Sequence, residues 1–130
     1  MDVEVELVRI IISETSDQQV IVLREKQGER AFPIVIGFAE AWAIDRRMKG
    51  IETPRPMTHD LMCSIIHEMG GRLERVVVCD LADQTFFAKL MVRQGEEVLE
   101  IDSRPSDAIA LAASQDVPLF VAEHVLTQVS

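Results

Sequence analysis

Asp102-Ser103-Arg104-Pro105-Ser106-Asp107-Ala108-Ile109-Ala110-Leu111-Ala112 is where an alternating segment gives way to an alanine-rich one. Val98–Asp102 alternates apolar and polar residues and reads as a strand. Pro105 has a fixed φ and no N–H to donate, so it fits the first turn of a helix and nowhere deeper. Ser103 is the better capping side chain, but Arg104 precedes the proline directly, which leaves the cap open. Asp107 then lies in the first turn, where free N–H groups and the positive dipole end favour a carboxylate. A strand thus runs into a helix N-terminus, with Asp102 and Asp107 at the junction. Such a corner can hold an anion on the helix or a cation between the acids. Ordinary helix grammar explains it equally: Asp107 stabilises its own helix and Arg104 neutralises Asp102.

Upstream, Val3–Ser13, Val20–Leu23 and Ala31–Ile36 read as strands, separated by polar turns. Pro33 inside the third argues for an edge or a bulge. Ala39–Lys49 reads as a helix, with Glu40 in its first turn, basic residues in its last, and Gly50 at a left-handed stop. Trp42 reads as a core or interface anchor rather than a stacking platform for bases. Pro54 and Pro56 make an extended connector, after which Thr58 is a suitable N-cap for a helix over His59–Met69. Leu61, Met62, Ile65, Ile66 and Met69 would form its buried stripe. His59, Cys63 and His67 drift by about 80° over two turns, so a straight helix cannot bring all three to one zinc. Leu73–Cys79, Thr85–Arg93 and Glu97–Asp102 read as three more strands. Val117–Val121 follows as a short strand or extended edge, and Ala122–Val129 as a short closing helix.

A shift of 67 positions lays Gln27–Ile44 on Gln94–Leu111, with six identities in eighteen. Glu40 then falls on Asp107. The pattern is that of an internal β-β-β-α repeat, although similar local grammar alone can produce as much. Short turns between successive strands favour hairpins over crossovers. The expected fold is therefore α+β: a mostly antiparallel sheet of about six strands with three main helices. Trp42, Leu61, Ile65, Ile66, Ile109 and Leu111 are the expected helical contributions to the core.

The chain is long enough for one domain (1–130) with a core of its own. Its formal charge is 13 − 22 = −9, which opposes non-specific adhesion to nucleic acid or anionic lipid. An acidic protein can still act on a phosphodiester if metal ions bridge its carboxylates to the phosphate. Cys63 and Cys79 form no CxxC. No apolar run approaches the roughly 18–20 residues of a membrane helix. The Met-Asp-Val-Glu start shows no signal-peptide pattern, so the expectation is a cytoplasmic protein with reduced thiols and no membrane partner.

Phe32-Pro33-Ile34-Val35-Ile36-Gly37, Glu40-Ala41, Arg55-Pro56-Met57-Thr58-His59-Asp60-Leu61 and Asp102–Ala110 together resemble the bifunctional nuclease (BFN, DUF151) family in order and spacing. The resemblance covers nearly the whole chain and rests most on the last two blocks. It implies an α+β fold, homodimers or larger homo-oligomers, and nuclease action on DNA and RNA; it brings no catalytic set with it.

Chemistry supplies the candidates. In a metal-dependent phosphodiesterase, Asp102, Asp107 and Asp60 would hold Mg²⁺ or Mn²⁺, with Glu40 as a fourth ligand. His59 would act as general acid or base beside Asp60, Asp102 and Asp107. Arg55 and Arg104 would grip the phosphate, with Ser106 beside them. The competing reading is a non-catalytic homo-oligomeric module in which those arginines pair with the carboxylates as a structural cluster. Both readings expect Asp102, Arg104 and Asp107 to meet Arg55, His59 and Asp60. A dimer is expected from the run Ile10–Ile12 and from Met57, Phe87 and Met91, which alternation leaves outside one core.

Overall fold

A computed structural model describes residues 1–130. One mixed sheet of seven strands carries four helices. In chain order these are β1 (Asp2–Ile11), β2 (Gln19–Glu25), β3 (Ala31–Ile36), α1 (Phe38–Met48), α2 (Thr58–Glu68), β4 (Gly71–Ala82), β5 (Thr85–Gln94), β6 (Glu97–Ser103), α3 (Pro105–Gln115), β7 (Leu119–Ala122) and α4 (Glu123–Val129). The strand order is β3-β2-β1-β7-β4-β5-β6. All pairings are antiparallel except that of β4 with β7. The α+β, mostly antiparallel expectation holds. The segment expected as a short strand or extended edge is a strand, and the central one: it joins two three-stranded meanders and brings the strand count to seven.

Local chemistry explains the meanders. The β4–β5 hairpin turns on Asp83 and Gln84, both at positive φ, as a two-residue turn matched to strand twist requires. The β5–β6 hairpin uses Gly95 at φ +64°. Pro33 sits in β3, whose free edge ends the sheet, so its missing N–H breaks no central ladder. Helix α1 stops at Gly50, at φ +70°.

The core lies on the face that the helices cover. On β2 and β3, Ile21, Leu23, Phe32, Ile34 and Ile36 are buried at every second position. Across β7 they continue into Val121, Val76, Val78 and Leu90 as one cluster with Ile109, Leu111 and Leu126. Phe32 of β3 and Phe86 of β5 bring their rings to 5.7 Å, so the sheet curls until its two halves meet. The two halves repeat each other: each is an antiparallel meander followed by a helix, and α1 packs on α3. Ala41 and Ala108, 67 apart, are both fully buried.

Several expected core residues lie outside. Trp42 is 48% exposed, Leu61 51% and Ile65 49%. Helix α2 presents Cys63 inward, with Met62 and Ile66 packed at the core margin. The apolar arc of α2 is wider than one buried stripe, so periodicity alone cannot tell which edge of it faces the sheet. No helix is long and apolar enough to cross a membrane.

Arg30 fastens the β2–β3 turn to α4. Its Nε donates to Glu25 Oε1 at 2.7 Å, and its two terminal nitrogens donate to the Glu123 carboxylate at 2.6 and 3.0 Å. These bonds hold both Glu25 and Glu123 below the usual carboxylate range. Their contribution to stability is therefore present above the ordinary glutamate value near ~4.3 and fades as pH falls below it. The thermal midpoint is expected to drop between about pH 5 and pH 3, and Arg30→Gln should flatten that drop. Calorimetry across this range checks both.

Candidate active site

Helix α3 begins at the corner expected from its sequence: Arg104 is the N-cap residue and Pro105 the first helical one. Arg104 lies 67 positions after Gly37, the N-cap of α1. Because α1 and α3 pack together, the acids one turn inside each helix come within reach of a single guanidinium. Arg104 Nε donates to Asp107 Oδ2 at 3.0 Å, and Nη2 donates to Glu40 Oε1 at 3.0 Å. The other Asp107 oxygen lies 3.0 Å from His59 Nε2, in the first turn of α2. His59 Nδ1 has no protein partner.

Burial alone would raise the Asp107 carboxyl, but its bonds to Arg104 and His59 outweigh this and hold it below the usual range. Asp107 is thus a carboxylate at neutral pH. It fixes the orientation of His59, while Arg104, itself held by Glu40, fixes that of Asp107.

Asp60, adjacent in sequence to His59, reaches a different part of α3. Its Oδ1 accepts the Ser114 hydroxyl at 3.1 Å and lies 3.5 Å from Arg47 Nη2. Its Oδ2 accepts the Met57 backbone N–H, so Asp60, three residues inside, satisfies the start of α2 where Thr58 was expected to. Neighbouring residues that touch α3 two turns apart show α2 crossing that helix. The crossing opens a cleft of ≈ 570 Å³ between α1, α2 and the connector at residues 51–57, floored by Ala110 and Ser114. His59, His67, Arg46 and Arg47 line it, against the acids Asp60 and Glu52. The protein is acidic overall, yet this cleft is not.

Glu40, His59, Arg104 and Asp107 therefore meet, and Asp60 lies at the cleft beside them. Asp102 does not join them. On β6, an exposed strand, it pairs in register with Lys89 of β5. The side chains sharing its parity point to the uncovered sheet face, away from the cleft. Arg55 is exposed on the connector, and its guanidinium has no partner. Ser106 is buried within α3. The strand period separates Asp102 from Asp107: on β6, Ser103 and Asp102 point to opposite faces.

The divalent-ion set does not fit this geometry as it stands. Asp107, Asp60 and Glu40 all bond to protein donors, and no three His, Cys, Asp or Glu groups are gathered where they could hold a metal.

Sequence reasoning missed Arg46 and Arg47, which read as dipole-neutralising residues of a last turn. Arg47 donates to the Ser114 carbonyl at 2.8 Å and to its hydroxyl at 2.9 Å. The shift of 67 carries one onto the other, and that was the available signal. Arg46 is the exception among its neighbours. Arg47 and Lys49 face Asp60 and Asp45, whereas Arg46 has no ion-pair partner and its buried Nε has no acceptor. An unmade buried hydrogen bond costs roughly 1–3 kcal/mol, so such a group calls for a cause.

Residues 21–130 match the model of the bifunctional nuclease domain. The chain is 41% identical over 125 residues to an uncharacterized protein of Mycobacterium tuberculosis, covering 96% of this chain and 74% of that one. It is 28% identical over 114 residues to bifunctional nuclease 2 of Oryza sativa subsp. japonica, covering 85% of this chain and 35% of that one. With bifunctional nuclease 1 of the same plant it shares 22% over 118 residues, 88% of this chain and 36% of that one. The chain belongs to the bifunctional nuclease domain family. It spans about a third of the plant proteins' length.

Proposed function

We propose that the domain hydrolyses phosphodiester bonds of nucleic acid in the α1–α2–α3 cleft, with His59 as its general acid–base. The observation that carries this reading is the His59–Asp107 pair at 3.0 Å at the margin of a cleft lined by two arginines. A histidine held through Nε2 by a carboxylate keeps Nδ1 to take a proton from an attacking water or give one to the leaving oxygen. Arg46 and Arg47 would meet the negative charge on the phosphoryl oxygens. Family membership favours nucleic acid as the substrate class.

Mg²⁺ or Mn²⁺ enters this proposal as an ion to be tested, and no step is routed through it. The decisive assay incubates labelled DNA and RNA oligonucleotides with the protein, with EDTA, and with each ion added back. Cleavage at a rate that follows the protein through purification is the expected result. No cleavage of either polymer under any of these conditions would overturn the reading, and the EDTA arm reports the ion requirement separately.

A second reading has its own observation. Met57, Leu61, Ile65 and Met69 stand four residues apart along α2, all exposed, from 39% to 71%. An apolar stripe of this kind suits a helix-to-helix contact with a second copy. On that reading the domain is a homodimeric, cytoplasmic binding module, and the Arg104 cluster is structural. Monomer mass by light scattering across micromolar concentrations would count against it.

A further inference from the structure

The cleft chemistry does not account for Trp42, the one tryptophan of the chain. It stands 48% exposed on α1. Phe38, one turn before it, is 50% exposed. Arg46, one turn after it, lays its guanidinium 4.4 Å from the indole centroid. Four-residue spacing puts all three on one side of the helix, roughly 6 Å apart along its axis. The track ends at the cleft, because Arg46 is also one of the residues lining it.

Core packing explains neither aromatic, since about half of each is exposed and neither belongs to the buried cluster. Internal charge pairing does not explain Arg46, whose buried Nε lacks an acceptor. Two flat apolar side chains leading to a guanidinium that stacks on one of them and has no carboxylate partner suit a ligand that is flat and apolar in one part and anionic in the next. An unpaired nucleotide is such a ligand: base faces stack on aromatic rings with little regard to sequence, and Arg adds cation–π and phosphate contacts. A duplex offers grooves and edges rather than faces. Holding it by its phosphates would need a basic surface that a chain of net charge −9 lacks.

We propose that Phe38, Trp42 and Arg46 form a stacking track that admits single-stranded nucleic acid, and not duplex, to the cleft. This rests on the nucleic-acid reading of that cleft. The test uses full-length protein carrying His59→Ala, so that the probe persists, titrated with oligothymidylate of about twelve nucleotides or a duplex of equal length. Trp42 emission and probe anisotropy are read together. The single strand should quench Trp42 and bind about tenfold or more tighter than the duplex at equal salt. Trp42→Ala should remove about tenfold of that affinity, Trp42→Phe should restore part of it, and Arg46→Gln should weaken the single strand while lowering the salt dependence.

Equal binding of duplex, binding without quenching, or no binding at all would overturn the proposal. So would a dimer that Trp42→Ala returns to monomer, because a second copy would then cover the track. The two readings fail separately. Single-strand binding with quenching but no cleavage by the unmodified protein refutes the nuclease and keeps the track. His59-dependent cleavage of both forms, indifferent to Trp42→Ala, does the reverse.

Discussion

His59→Ala and Asp107→Asn are each expected to slow oligonucleotide cleavage by about 10²–10⁴-fold, the range in which general acid–base residues contribute. The two should not multiply. If Asp107 acts by orienting the imidazole, its effect vanishes once the imidazole is gone, and the double variant should be no slower than the worse single one. Stability separates this from a structural role. Asp107→Asn removes one of the two negative partners of Arg104, which is itself 65% exposed and screened by solvent. The expected loss is about 1 kcal/mol, and His59→Ala should lose no more. Denaturant unfolding gives these values, and single-turnover cleavage gives the rates. Full-rate cleavage by both single variants would place the activity elsewhere. With the stability loss still present, that outcome would favour the Arg–carboxylate cluster as a purely structural device.

How the corner at Arg104 was read, and where that reading stopped, follows from the range of each physical signal. Pro105 and the alanines after it have local consequences, so the start of α3 was legible. Pro33 gave the edge position of β3 for the same reason: a missing N–H is a local fact with one topological outcome. That Asp107 would meet His59 was legible only as two polar helix starts that had to pack somewhere. The repeat offered more than it yielded, since the shift placing Glu40 on Asp107 also places Gly37 on Arg104 and Arg47 on Ser114. One of those pairs, Arg47 with Ser114, became a direct contact, and Glu40 and Asp107 meet through Arg104. Asp102 lies apart from Asp107 because neighbours in sequence are not neighbours in space across the two-residue period of a strand. Trp42 and Leu61 were misplaced for another reason. A large apolar side chain has the same hydropathy in a core and on a surface awaiting a ligand, and sequence periodicity carries no mark distinguishing them.

Phe32→Ala should be the most damaging single change to the fold, at about 3–5 kcal/mol. Phe32 is 2% exposed, and its ring faces Phe86 across the curl of the sheet. Its removal takes buried apolar area from a point where β3 and β5 meet. The strands around that point are held by their own ladders, so the hole cannot close freely. For a domain with a total stability of about 5–15 kcal/mol this is a large share. Phe32→Leu, which keeps most of the volume, should lose less than half as much. Urea unfolding should show a lower midpoint with an unchanged slope, as expected when packing is lost without a change in the surface exposed on unfolding. A loss under about 1 kcal/mol would mean that the two halves do not depend on each other through this contact. The consequence reaches the cleft. Glu40 belongs to the helix after the first meander, and Arg104 and Asp107 to the helix after the second, so their ion pairs exist only while the halves are joined. As Phe32→Ala protein is warmed, His59-dependent cleavage should therefore disappear in step with the loss of tertiary structure, and not before it.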